Sequence, residues 1–195
     1  MSVILGMVEA DKIVIAGDMR ASTKEGKMIS DESAKVNVIN TGLAMASAGS
    51  LAIENAIMMD VNSQSGKENM TTDRLVELIE NFYKRVVENK IDGIYALPFY
   101  CLIAGKGKDS KPHLINAGKF KNGFGAQDVP MALYYPIDVE QDKCNQIFAA
   151  NYRTCQTEFC ERTIRQISEI SNVVSPTGSK WEYDILRGKG QLITF

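Results

Sequence analysis

The chain has 195 residues, enough for one well-buried core and too few for two comfortable ones. With 45% hydrophobic and 24% charged residues, its composition is that of an ordinary globular protein, not of a disordered chain. The formal net charge of -2 gives no electrostatic reason to expect nucleic acid or an anionic membrane as partner, and no apolar run approaches the roughly 20 residues of a membrane span.

SVILGMVE and KIVIAGD read as strands rich in Val and Ile, joined by a short Ala-Asp turn. KVNVIN alternates with period two, NTG turns it, and LAMASA completes a second hairpin. Ser50 is placed to cap a helix through LAIENAIMMDVN. Thr71 or Thr72 caps the next, DRLVELIENFYKRVVENK, whose Leu75, Leu78, Ile79, Phe82, Val86 and Val87 share one face. PFYCLIAGK and HLINAG form a third hairpin, followed by KFKNGFGAQD, which reads as glycine-rich and irregular. Residues 141–171 are helical in pattern, with Phe159, Thr163, Ile167 and Ile170 at helical spacing. WEYDILR, GKG and QLITF end the chain as strand, turn and strand. No internal repeat or linker interrupts the order. Helices in blocks between antiparallel hairpins argue against a parallel βαβ sheet. Two stacked antiparallel sheets with helices outside satisfy the pattern.

Cys101, Cys144, Cys155 and Cys160 form no CxxC pair, and His113 is the only histidine, so a zinc site is not expected. No basic segment followed by an apolar one marks the N-terminus for secretion, which makes reduced thiols in the cytoplasm the expectation. His113 reads as a loop or strand-edge residue and Arg20 as an ion-pair residue.

The first hairpin carries the chemistry. A two-residue turn at Ala10-Asp11 sets Ser2 opposite Met19, with Asp18 diagonally beside it at about 7–8 Å by Cα. A serine hydroxyl attacks poorly unless a base takes its proton. If Met1 is removed, the α-amino group of Ser2, with a reference pKa of about 7.7–8.0, is such a base. A nearby lysine lowers that value by like-charge repulsion, and an aspartate holds the lysine in place.

Ser2, the strand ending AGD at Asp18, Arg20, Lys35 opening KVNVI, and SAGS at 47–50 together resemble the proteasome β-subunit superfamily and its HslV-type bacterial relatives. The resemblance is dense over residues 2–55. It implies an α+β fold, a four-layer αββα sandwich of two antiparallel sheets, as one domain over residues 1–195. It also implies an N-terminal-nucleophile hydrolase that cleaves peptide or small amide bonds without a cofactor, in a homo-oligomeric ring that an ATPase unfoldase can serve. Ser2 would attack, Lys35 would tune the amine, Asp18 would orient Lys35, and the Gly49 N–H would receive the oxyanion. Ala21, Ser47 and Leu51 would line the pocket beside the scissile bond, where the family usually has a residue smaller than Leu51. Ser175 and Asn172 match a supporting Ser and Asp of the family, with the acid replaced by an amide. Ala126 would stand where the family has a supporting serine. These replacements keep two other readings open: a catalytically silent scaffold or binding subunit, and an amidohydrolase of the same fold acting on a small molecule.

Overall fold

The computed structural model describes residues 2–23, 25–120, 123–154 and 158–195. Met1 and Cys155 lie outside the described residues. The chain opens with the hairpin β1 (Ile4–Val8) and β2 (Lys12–Asp18), followed by the short strands β3 (Ala21–Ser22) and β4 (Met28–Ser30). β5 (Val36–Asn40) and β6 (Leu43–Gly49) lead into α1 (Leu51–Ser63), α2 (Thr72–Glu88) and the single turn α3 (Asp92–Tyr95). β7 (Phe99–Lys106), β8 (Pro112–Phe120), β9 (Gly123–Asp128) and β10 (Met131–Tyr134) come next. α4 (Gln141–Thr154), α5 (Phe159–Ser168), β11 (Gly178–Asp184) and β12 (Lys189–Thr194) complete it.

Two five-stranded sheets result, in the orders β10-β1-β2-β11-β12 and β5-β6-β7-β8-β9, and the neighbours in each run antiparallel. Strand alternation divides the apolar side chains among three cores. Ile4, Ile13, Ile15 and Trp181 of the first sheet meet Ala44, Ala46, Leu102 and Leu114 of the second. On the outer face of the second sheet, Leu43, Met45 and Ile103 pack under Ile53, Ile57, Leu75 and Ile79 of α1 and α2. On the outer face of the first, Val3, Leu5 and Val14 pack under Cys144, Phe148, Ile164 and Ile167 of α4 and α5. Helix, sheet, sheet and helix are therefore stacked as an αββα sandwich. Each such buried Ile or Leu side chain contributes about 1.5–3 kcal/mol of transfer free energy.

The capping expectations hold: Ser50 Oγ accepts from the Ile53 N–H at 3.4 Å, and Thr71 Oγ1 from the Arg74 N–H at 3.4 Å. Three expectations are corrected. The stretch read as irregular contains β9, paired along its length with β8 from Phe120–Gly123 to Ile115–Asp128, although Lys121 and Asn122 lie outside the described residues. The helical pattern of 141–171 is two helices, with residues 155–157 outside those described, and Ile170 lies beyond α5, exposed. On α2 the buried stripe includes Tyr83, while Val87 is exposed, because a 17-residue helix drifts off a fixed face. Among the described residues no helix is long and apolar enough to cross a membrane.

Candidate functional site

The first hairpin takes the register that a two-residue turn dictates, with Ile4 opposite Gly17 and Val8 opposite Ile13. That register brings Val3 against Asp18. The Asp18 N–H donates to the Val3 carbonyl at 3.2 Å, and the Val3 N–H donates to Asp18 Oδ1 at 2.9 Å. Asp18 Oδ2 accepts from the Arg20 N–H at 2.8 Å and the Ser175 N–H at 3.4 Å. The carboxyl group is completely buried. Burial pushes its pKa up to about 6, against the opposing pull of these N–H groups and the Lys35 charge. Asp18 thus fixes the residue next to Ser2 by its backbone.

Lys35 is buried and enters between the sheets. A Cβ on Gly17 would lie 2.6 Å from Lys35 Cβ, so the glycine of AGD is what lets the lysine stem pass. The Lys35 carbonyl accepts from the Ser47 N–H at 2.9 Å, which ties it to the end of β6. Its ammonium donates to Ser33 Oγ at 3.3 Å. Backbone N–H groups occupy the Asp18 oxygens, and Lys35 is felt at Asp18 through its charge.

Gly49 ends β6 with φ +116°, and a Cβ there would lie 2.3 Å from the Pro98 carbonyl oxygen. Both facts exclude a side chain whatever the chemistry. Gly49→Ala is expected to destabilise the fold by at least about 3 kcal/mol, read as a lower urea midpoint.

Ser2 is buried and lines a cavity of about 290 Å³ with Ala48, Tyr100, Leu133, Tyr134 and Tyr135. Ala21, Ser47 and Leu51, the three side chains expected beside the scissile bond, are not among the residues lining this cavity. Ser47 shares a strand face with Leu43 and Met45, toward the helices, and its hydroxyl is buried there without a partner among the described residues. Ala48 faces the cavity in its place. Leu51 is exposed at the first turn of α1, and Ala21 is half-buried in β3 opposite Ser30.

Ser175 comes to the site through its N–H, while its hydroxyl shares a 2.7 Å hydrogen bond with Thr177 Oγ1. Asn172 takes part through its backbone: its carbonyl accepts from Arg20 Nη1 at 3.0 Å, and its N–H donates to Asp138 Oδ2 at 2.8 Å. Arg20 is the expected ion-pair residue, donating from Nε and Nη2 to the two Asp31 oxygens at 2.6 and 3.0 Å. Ala126 lies within β9 opposite Ala117 and lines a different cleft, so it does not occupy the place of a serine supporting Ser2. The segment that leads into α4 runs from Tyr134 to Glu140 instead. Tyr100 could be found from the alternation of β7. Tyr134 and Tyr135 could not, because β10 carries no clear pattern of its own.

A cleft of about 700 Å³ between α2 and β8–β9 shares no lining residue with the Ser2 cavity. At its wall His113 lies within β8, with Nδ1 2.6 Å from Asp128 Oδ2 and Nε2 2.9 Å from Asp109 Oδ1. The Asp128 hydrogen bond above all raises its pKa from the ordinary 6.5, despite partial burial. What this clamp contributes to stability is present below that value and is lost as pH rises through the raised one. A proton NMR titration of this single imidazole is expected to give a midpoint above 6.5, and a midpoint at or below it would show that the carboxylates do not hold the cation. Among the described residues no group of three or more His, Cys, Asp or Glu is arranged to hold a metal ion.

The profile of the family described as "Proteasome subunit" matches residues 2–117, a span containing Ser2, Asp18, Lys35 and Gly49. Among solved structures, a mutant of Anbu from Hyphomicrobium sp. strain MC1 is similar in fold, with a TM-score of 0.75 at 12% identity, covering 100% of this chain and 87% of that one. No curated protein matches.

Proposed function

Because the chain belongs to the proteasome subunit family, we propose that it is an N-terminal-nucleophile hydrolase of peptide bonds, with Ser2 as nucleophile once Met1 is removed. Ser2 Oγ attacks the carbonyl carbon while its proton passes to the free α-amino group. The Gly49 N–H stabilises the oxyanion. Collapse breaks the C–N bond, and the ammonium returns its proton to the departing amine. Water, deprotonated by the same amine, then hydrolyses the ester and restores the serine. The Lys35 cation keeps the amine's pKa near neutrality. Asp18 holds Val3, and so the terminus, in place. The observation that carries this reading is the pair of hydrogen bonds between Val3 and the buried Asp18, which anchors the residue after Ser2 to the strand end whose Gly17 lies against the Lys35 stem.

We extend the proposal to the whole of residues 1–195 as one domain, a homo-oligomeric ring that secludes its sites, an ATPase unfoldase as feeder, and a cytoplasmic location. Asn172 favours a second reading, a catalytically silent subunit, since it offers an amide where the family has an acid. Intact-mass analysis before and after treatment with an epoxyketone peptide separates them. The hydrolase reading expects a mass lacking Met1 and one adduct on Ser2. Retained Met1, or a free Ser2 that never forms the adduct, supports the silent subunit.

A further inference from the structure

We propose that the outer edge of β9 binds an extended segment of a partner protein that carries lysine or arginine on its face toward α2. Such a site lies apart from Ser2 and does not depend on its chemistry. β9 ends its sheet, with β8 as its one neighbour. The Val129 N–H donates to the Leu114 carbonyl at 2.9 Å, in step with the pairing of Ile115 and Asp128. Bonded and non-bonded pairs alternate along an antiparallel ladder. Gly123, Gly125 and Gln127 therefore bond inward to β8, while Phe124, Ala126 and Asp128 turn their N–H and carbonyl groups outward. Among the described residues none of these outward groups has a hydrogen-bond partner. Natural sheets guard such edges with lysine, proline, a bulge or a cover. β5, at the other end of the sheet, has a register shift between Val38 and Asn40, and the Asn40 amide donates to the Lys67 and Met70 carbonyls at 3.0 and 3.1 Å, which holds that segment beside it. β9, GFGAQD, has no lysine or proline and pairs without a shift. Donors and acceptors that recur about every 7 Å are matched by another extended backbone.

The side chains of the same three residues share the face toward α2. The Phe124 ring stacks on Tyr83 of α2, with centroids 5.8 Å apart and 22° between planes, and Ala126 and Asp128 line the cleft of about 700 Å³. The α2 wall of that cleft is Asp73, Val76, Glu77 and Glu80, at the spacing of one helix face. A second hollow of about 310 Å³ continues past Glu80 to Tyr83, Val87 and Phe124. An added strand would thus lie along roughly 20 Å of helix. Val76, Ile115 and Ala126 give the groove an apolar floor. Its walls are acidic. Over both hollows the carboxylates Asp73, Glu77, Glu80, Glu88 and Asp128 outnumber the cations Arg74, Lys84 and Lys108, even when a protonated His113 is added. Lysine and arginine suit both features, with the methylene stem on the floor and the charged head at a carboxylate. An acidic side chain there would meet like charge.

The test uses the full-length Ser2→Ala chain, which cannot consume a peptide through Ser2, and a blocked hexapeptide of alternating lysine and threonine. Amide hydrogen exchange at Phe124, Ala126 and Asp128 is expected to slow at least tenfold on binding, with smaller changes at Gly125 and Gln127, which already bond to β8. The same peptide with glutamate in place of lysine is expected to bind at least tenfold more weakly by fluorescence anisotropy. Methylating the peptide N–H groups at the lysines or at the threonines gives two further probes. One of these two phases faces β9, so one probe is expected to lose at least tenfold in affinity and the other to keep it. Ala126→Pro removes an outward N–H and no β8–β9 hydrogen bond, and is expected to weaken binding at least tenfold. Glu77→Lys, at an exposed site, serves if the proline variant does not fold, and is expected to move the preference toward the glutamate peptide. Equal binding of the two methylated probes, equal binding of the lysine and glutamate peptides, or protection confined to residues around Ser2 overturns the proposal. Protection of the β9 amides that grows with protein concentration in the absence of peptide also overturns it, in favour of a second copy at this edge.

Discussion

Ser2→Ala is expected to lower peptide hydrolysis by at least about a thousandfold and to abolish the epoxyketone adduct. The bond-forming oxygen is lost, and no other hydroxyl lines the cavity except those of the tyrosines. The fold should be unaffected, since the anchoring of Val3 runs through backbone N–H and carbonyl groups that alanine leaves unchanged. Lys35→Ala is the companion measurement. On the hydrolase reading its cation would hold the Ser2 amine's pKa down, so removing it is expected to raise that pKa. The acid limb of the kcat/KM profile should then move to higher pH, beside a fall in rate of about a hundredfold. A fall in rate with an unmoved limb would make Lys35 a packing residue only. Turnover that survives Ser2→Ala would place the chemistry elsewhere.

The hairpin that presents Ser2 was legible because a two-residue turn fixes register, and register alone brings Val3 to Asp18. The layers were legible for the same kind of reason: strand alternation and helix periodicity each assign a face. The partners of Asp18 were not. Sequence pointed to Lys35, a side chain of suitable charge, whereas the oxygens are filled by N–H groups, one of them from Ser175, 157 positions away. Every residue carries such a donor, so composition gives no clue to which one arrives. β10 was missed on similar grounds. Its four residues pair with β1 across more than a hundred positions, and local periodicity does not record that pairing. Without β10, Tyr134 had no known face, and the aromatic wall of the Ser2 cavity stayed hidden. The orientation of Ser47 was hidden for another reason: the loop-like SAGS motif continues the alternation of β6, which turns Ser47 toward the helices and Ala48 toward the Ser2 cavity.

Asp18→Asn is expected to expose what a buried charge costs this fold and what it provides. The Asp18 carboxylate accepts three backbone N–H groups on two oxygens. Asparagine offers one oxygen, and its NH₂ must face at least one of those donors, a loss of about 1–3 kcal/mol for each buried group left unmet. The native carboxyl, however, has its pKa raised from 3.8 to about 6. The folded state then binds more protons than the unfolded state between those values, so this group's contribution to stability falls as pH rises from about 4 to about 6 and levels off above. The rise corresponds to at most about 3 kcal/mol. The variant has no such dependence. In urea midpoints, the margin of wild type over Asp18→Asn should therefore be larger at pH 4.5 than at pH 7, by at most about 3 kcal/mol. Activity should move the other way. Above pH 6 the wild type holds the ionised Asp18 that supports the Lys35 charge, so hydrolysis at pH 7 is lost in the variant just where the two proteins are closest in stability. A gap that stays constant between the two pH values would show that Asp18 is not held as a strained carboxylate, and would remove the reason to assign its charge a part in the chemistry.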